Sequence, residues 1–191
     1  DKGHLSALKI NILLLQHQEL LFDSYQDEMD HICTLERRNK FIERLALNQT
    51  GNTLILFAYV EKHGQVLYDM INSSVAEQRK VFFVHGGVDT DEREKIREIT
   101  EKADNAIIVA SYGTFSTGIN IRNLHNIIFA SPSKSRIRNL QSIGRGLRIG
   151  SNKDKCKLLK YLSRDIELHT VDSFQGREAD AVILTTVRTN S

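Results

Sequence analysis

The stretch QSIGRGLR, residues 141–148, carries the residue types best suited to chemistry in this chain. Gln141, Arg145 and Arg148 stand at i, i+4 and i+7, so a helix through them gathers one amide and two guanidinium groups on one side. A guanidinium is a planar, permanently charged fork. It grips a phosphoryl group through two parallel hydrogen bonds and suits one whose charge is being redistributed. Gly144 and Gly146 stand among these residues, although each glycine costs a helix interior about 1 kcal/mol relative to alanine. On a helix over 134–148, Ile137, Leu140, Gly144 and Leu147 form the buried stripe, with Gln141, Arg145 and Arg148 beside it. In that reading Gly144 lets the helix lie close on a sheet and brings the arginines to the sheet's edge. On charge alone, a pair of solvated arginines explains the segment equally well; the wider pattern decides.

The elements that must position this helix are legible from residue 51 onward. Apolar runs of strand length occupy 53–59 (TLILFAY), 80–84 (KVFFV), 106–110 (AIIVA) and 125–130 (HNIIFA), with a further strand at 156–161. Helical spacing fills the gaps, through Val66, Leu67, Met70 and Ile71 and again from Asp89, where Glu92 completes a capping-box spacing. Ser133 or Ser135 can cap the arginine-bearing helix. Near-continuous apolar strands alternating with helices predict an α/β fold, a mostly parallel sheet covered on both faces. Residues 1–50 form a lead-in, with a strand at 8–15 and a charged, mostly helical run over 25–47. Ligands of such sheets lie beyond the carboxyl ends of the strands. The segments to watch are therefore Glu61-Lys62-His63, His85-Gly86-Gly87, residues 111–120 and residues 131–134. His63 itself reads as a surface helix residue.

The bulk properties fit one ordinary domain: 191 residues, 40% hydrophobic, 26% charged, no tryptophan and one proline. The formal charge of +2 hides an asymmetry. Residues 131–160 hold nine basic side chains against the single acid Asp154, a net +8 that leaves about −6 for the rest. Such a window points to an anionic partner such as phosphate, nucleotide or nucleic acid. Cys33 and Cys156 have no metal-ligand neighbours and read as free thiols of a reducing compartment. No apolar run reaches the length of a membrane span, and the start lacks a signal-peptide pattern. The expectation is a cytoplasmic protein with no membrane partner.

The longer pattern is more specific. Q-x-x-G-R-x-x-R after a strand resembles motif VI of superfamily 2 helicases. ASYGTFSTGIN resembles their motif V, VFFVHGG their motif IVa and NTLILFAYVEKHGQVLYDMI their motif IV, all four in order. Within that family the likeness is to recombination helicases of tailed phages, over roughly residues 8–160 and including the lead-in YQDEMDHICTLERRNKFIERLA.

The resemblance implies a RecA-like C-terminal motor domain over 51–162, belonging to an ATP-dependent DNA helicase of the branch-migration and annealing type. It implies that Arg145 and Arg148 contact the γ-phosphate of ATP, with Arg148 the arginine finger and Gln141 orienting the site. Gly118 and Asn120 would lie on the nucleotide side of the interdomain cleft, where many relatives carry aspartate in place of Asn120. His85, Gly86, Ser111 and Lys134 would touch the nucleic-acid backbone, of DNA or RNA. The sequence contains no G-x-x-x-x-G-K-[ST] loop and no D-E-x-D/H box after a strand. ATP and Mg2+ are therefore expected only with an N-terminal RecA-like motor domain, and the chain by itself is expected not to hydrolyse ATP. A rival of another class is a stand-alone nucleic-acid-binding module that reuses the fold without catalysis.

Residues 163–191 differ in kind. TVDSFQGREADAVIL resembles motif V of superfamily 1 helicases of the nonsense-mediated-decay type. That likeness would put Gln175, Gly176 and Glu178 near nucleotide, and Thr170 or Ser173 near the strand backbone. The expected structural role of this tail is two extra strands.

Overall fold

A computed structural model describes residues 7–14, 20–118, 121–133, 135–146 and 155–162. Along the chain these form β1 (Ala7–Leu14), α1 (Tyr25–Thr34), α2 (Glu36–Leu47), β2 (Thr53–Phe57), a π-helix (Val60–Gln65), α3 (Val66–Ser74), β3 (Val81–Val84), α4 (Thr90–Lys102), β4 (Ile107–Ser111), α5 (Tyr112–Gly118), β5 (Asn126–Phe129), α6 (Arg136–Gly146) and β6 (Lys155–Leu162). The tail at 163–191 lies outside the described residues.

The six strands make one sheet in the order β1-β6-β5-β2-β4-β3, and every pairing is parallel. The fold is α/β, as the sequence predicts. β1 extends the sheet by pairing along its whole length with β6, from Ala7 opposite Lys155 to Leu14 opposite Leu162. The lead-in thus contributes a strand to the same sheet as the motif segments.

The strand interiors are apolar because both faces are covered. Leu54, Leu56, Ile108, Ala110, Ile127 and Phe129 point to one face and meet Ile96 of α4, Tyr112 and Phe115 of α5 and Ile143 of α6. Ile55, Phe57, Ile107, Val109 and Ile128 point to the other and meet Ile42 and Ala46 of α2 and Leu67 and Ile71 of α3. This is the period-two alternation of a pleated strand, expressed as two cores. Burying a leucine- or isoleucine-sized side chain contributes about 1.5–3 kcal/mol, so these layers supply most of the driving force.

The amino edge of the sheet is closed by one side chain. Asn52 is fully buried; its Nδ2 lies 2.9 Å from Thr100 O, 2.7 Å from Ala103 O and 2.8 Å from Asn123 O. Its Oδ1 accepts the N–H of Ala106 at 2.7 Å. The end of α4 and the loops before β4 and β5 are thereby fastened to the start of β2.

Candidate functional site

With all strands parallel, their carboxyl ends share one edge, and the segments singled out in the sequence leave the sheet there. The β3 exit is a tight turn. Val88 N–H donates to His85 O at 3.1 Å, Gly87 N–H donates to His85 Nδ1 at 3.1 Å, and Arg93 Nη2 donates to Gly86 O at 3.0 Å. The His85 ring leans on Phe83 with centroids 4.9 Å apart, and Phe83 in turn stacks on Phe57 and Tyr68. Gly86 is exposed, with no atom within 4 Å of where a Cβ would stand, so its backbone is open to an approaching ligand. α4 follows from Asp89, but the Asp89 side chain makes no cap hydrogen bond; the capping box expected with Glu92 does not form.

Ser111 ends β4 and starts α5. Its Oγ accepts Thr114 N–H at 3.2 Å and donates to Thr114 Oγ1 at 2.8 Å. The hydroxyl therefore caps α5, and a phosphate could take its proton only in exchange for Thr114. Gly118 closes α5. Asn120, Lys134 and Arg148 lie outside the described residues.

α6 leaves the same edge after β5. Ser135 stands directly before its first residue, and its carbonyl accepts Asn139 N–H at 3.1 Å. Gln141 is exposed on this helix, and Arg145 lies on it four residues further; the Arg145 side chain is outside the described atoms. The buried stripe differs from the one read from the sequence. Asn139, Ser142 and Ile143 face inward, at 4%, 0% and 4% exposure, whereas Leu140 is 39% exposed and Gly144 is exposed with open space beside it. Gly144 does not mediate a close approach to the sheet. The apolar pattern misled because two polar residues are buried, Asn139 reaching back to donate from Nδ2 to Ser133 O at 3.2 Å. Two strands, β2 and β4, separate β5 from β3, so the α6 and His85 segments leave the sheet about 14 Å apart at ~4.8 Å per strand.

His63 is not the surface residue that its helical setting suggests but fully buried, at 0% exposure, in the π-helix that follows β2. Gly64 N–H closes the π turn on Tyr59 O at 2.9 Å. A Cβ on Gly64 would stand 2.5 Å from the Phe57 ring, so glycine is what lets the turn press this deep. The imidazole Nδ1 lies 2.8 Å from Ser131 Oγ, and Nε2 lies 3.2 Å from Asn39 Oδ1 and 3.4 Å from Arg38 Nη1. Arg38 also donates to Ile32 O at 3.0 Å and to Ala130 O. Ser131 Oγ accepts Ala58 N–H at 2.9 Å, its carbonyl accepts the Tyr112 hydroxyl at 2.7 Å, and the Cys33 thiol stands 3.9 Å from Oγ. Burial first, and the Arg38 charge second, push the His63 pKa down to about 3, so the ring is neutral. Burial also pushes the Cys33 thiol up. Helical periodicity could not reveal this cluster, since its members come from α2, the π-helix and the β5 exit. The one sequence signal was position: His63 and Ser131 both follow strands.

Comparison with known proteins identifies the fold and the family. The family described as "Helicase conserved C-terminal domain" matches residues 36–150. The ATP-dependent DNA helicase uvsW of Enterobacteria phage T4 is 39% identical over 156 residues, covering 78% of this chain and 30% of that protein. The crystal structure of T4 UvsW superposes with a TM-score of 0.69 at 36% identity, over 83% of this chain and 33% of that one. This chain thus spans about a third of the relative it matches. A DEAD box protein from Methanococcus jannaschii shares the fold at 20% identity, with a TM-score of 0.52 over 84% of this chain and 36% of that one. The parallel sheet with helices on both faces is accordingly a RecA-like α/β domain, and the chain belongs to the helicase conserved C-terminal domain family.

Proposed function

We propose that this chain is the C-terminal motor half of an ATP-dependent DNA helicase of the branch-migration and annealing type. The observation that carries the reading is the convergence of the motif segments on one carboxyl edge, together with 39% identity to a phage protein named as an ATP-dependent DNA helicase. Two subsites are assigned along that edge. The nucleotide subsite is assigned Gln141 and Arg145 of α6 together with Arg148, Gly118 and Asn120. The nucleic-acid subsite takes His85, Gly86, Ser111 and Lys134.

The described residues fit a nucleotide in their donor chemistry: the exposed Gln141 amide stands one helical turn before Arg145 on α6. ATP, when bound between this domain and an N-terminal RecA-like domain, supplies the phosphoryl group that is transferred to water. Arg148 places a guanidinium where charge develops and acts as the arginine finger, Arg145 adds a second fork, and Gln141 orients them. The phosphate loop and the hard oxygen ligands for Mg2+ come from the N-terminal half.

The test supplies an N-terminal motor domain to this chain and measures nucleic-acid-stimulated ATP hydrolysis. Arg148→Ala should lower turnover by about 10³ to 10⁵, the usual worth of an arginine finger, while nucleic-acid binding survives. Arg148→Lys should restore little, because an ammonium does not reproduce the planar fork. Full turnover by Arg148→Ala would refute the assignment.

A further inference from the structure

We propose that His63 is a positioning residue acting through Ser131: it fixes the turn between β5 and α6, and with it the helix that carries Gln141 and Arg145. The consequence for turnover rests on the functional reading above; the positioning does not.

Three observations converge. The first is the local backbone. A π-helix is rare and concentrates at functional sites. Here Gly64, pressed on the Phe57 ring, sets the depth at which the preceding imidazole enters the interior. The second is the set of bonds at the β5 exit. Ser131 is 2% exposed and is held from four directions: by His63 Nδ1, by Ala58 N–H at the end of β2, by the Tyr112 hydroxyl at the start of α5, and through the adjacent Ala130 carbonyl by Arg38 of α2. The third is the path onward. Ser133 O accepts Asn139 Nδ2 and Ser135 O accepts Asn139 N–H, so the turn and the first coils of α6 move as one. Ser142 and Ile143 then anchor the helix in the core.

The chemistry explains why a histidine serves. Each ring nitrogen faces different partners, Ser131 at Nδ1 and Asn39 with the Arg38 guanidinium at Nε2. Any shift of the ring strands a buried polar group, and in a low-dielectric interior that restoring force is steep. The ring thus transmits the position of α2 to the β5–α6 turn. Tyr112 links the same serine to the segment that begins with Ser111, so the two assigned subsites share one fixed point. Misplacing a reacting group by about 1 Å can cost about 100-fold in rate, which makes a buried fixed point useful.

Two substitutions separate positioning from stability. His63→Asn puts an amide where Nδ1 stood, keeping a partner for Ser131 and losing the one for Asn39. His63→Gln reaches the place of Nε2 and does the reverse. In this chain joined to an N-terminal motor domain, His63→Gln should lower kcat about tenfold or more with KM for ATP within about twofold, and His63→Asn should keep kcat within about threefold. In this chain alone, amide resonances of residue 133 and residues 135–144 should move in His63→Gln and stay in His63→Asn. If His63→Gln does not fold, Ser131→Ala takes its place, since it removes the hydroxyl and spares the Asn39 contact. Equal kcat in the two variants, or the greater loss in His63→Asn, overturns the proposal. If the joined parent protein hydrolyses no ATP, the functional reading falls and the resonances decide: equal displacement in both variants then overturns the positioning role.

Discussion

Arg38 Nη1 lies 3.4 Å from His63 Nε2 inside a cluster closed to solvent. A protonated His63 would set a second cation against the guanidinium, and its folded pKa of about 3 lies below its ordinary value of 6.5. Between those values the unfolded chain binds a proton that the folded chain refuses. The stability associated with neutral His63 is therefore complete above about pH 6.5 and is lost as pH falls from there towards 3, at up to ~1.4 kcal/mol per pH unit. Urea unfolding at pH 7.5 and pH 5 should show His63→Asn losing most of its deficit relative to the parent at the lower pH. An identical deficit at both pH values would mean that the ring is protonated in place.

Asn52 gives a prediction free of titration. Its two amide hydrogens are shared among three carbonyls and its oxygen accepts one N–H, with no exposure to water. Asn52→Ala leaves several buried groups unpaired at 1–3 kcal/mol each, partly relieved by relaxation, so a total loss of about 3 kcal/mol is expected. Asn52→Asp should be no better, because it replaces the N–H donor with an acceptor facing three carbonyls. A denaturant midpoint within error of the parent would refute the fastening role.

Two glycines should answer oppositely to alanine. At Gly64 the new Cβ meets the Phe57 ring at 2.5 Å, and Phe57 is itself fully buried in the β2 core. Overpacking of this kind typically costs about 1–3 kcal/mol. At Gly144 the new Cβ meets nothing within 4 Å on an exposed helix face. Gly144→Ala should stabilise by about 1 kcal/mol through helix propensity. Thermal unfolding of the two variants side by side checks both signs.

The strands around Leu54, Phe82, Ile108 and Ile128 are legible in the sequence because a strand covered on both faces must be apolar throughout. That β1 pairs with β6, over 140 positions apart, is not legible, since parallel pairing is fixed by what packs on the sheet rather than by local sequence. The same limit explains α6. Its apolar residues suggest one phase, yet Asn139 and Ser142 are buried because their partners lie elsewhere in the fold, and two inward polar residues rotate the helix. His63 failed for that reason too: its partners Asn39 and Ser131 stand 24 and 68 positions away. Motif order, by contrast, is a local property, and it led to the right family.

Nucleic acid is expected to meet the domain at the His85–Gly86 turn. This turn is held by three hydrogen bonds, to Val88, Gly87 and Arg93, so it meets a ligand already shaped. The exposed Gly86 backbone offers access without side-chain obstruction. Together with the basic window over 131–160, this predicts weak, sequence-independent binding whose logarithm falls against log salt by about 0.9 per neutralised phosphate on duplex DNA. Gly86→Asp is the incisive variant. The surrounding space accepts the side chain, so stability should change by less than about 0.5 kcal/mol, as at exposed sites generally. Its carboxylate, however, would face the phosphates, and affinity at low salt should drop several-fold, with the deficit shrinking as salt screens the repulsion. Ser111→Ala should behave in the opposite way. It removes the cap of α5 at a cost of about 1 kcal/mol while leaving the salt slope unchanged, because an uncharged hydroxyl neutralises no phosphate even where it touches the backbone. Fluorescence anisotropy with a labelled duplex, titrated at several salt concentrations for the parent and both variants, separates the two behaviours. Unchanged affinity of Gly86→Asp at low salt would remove the β3 exit from the nucleic-acid path.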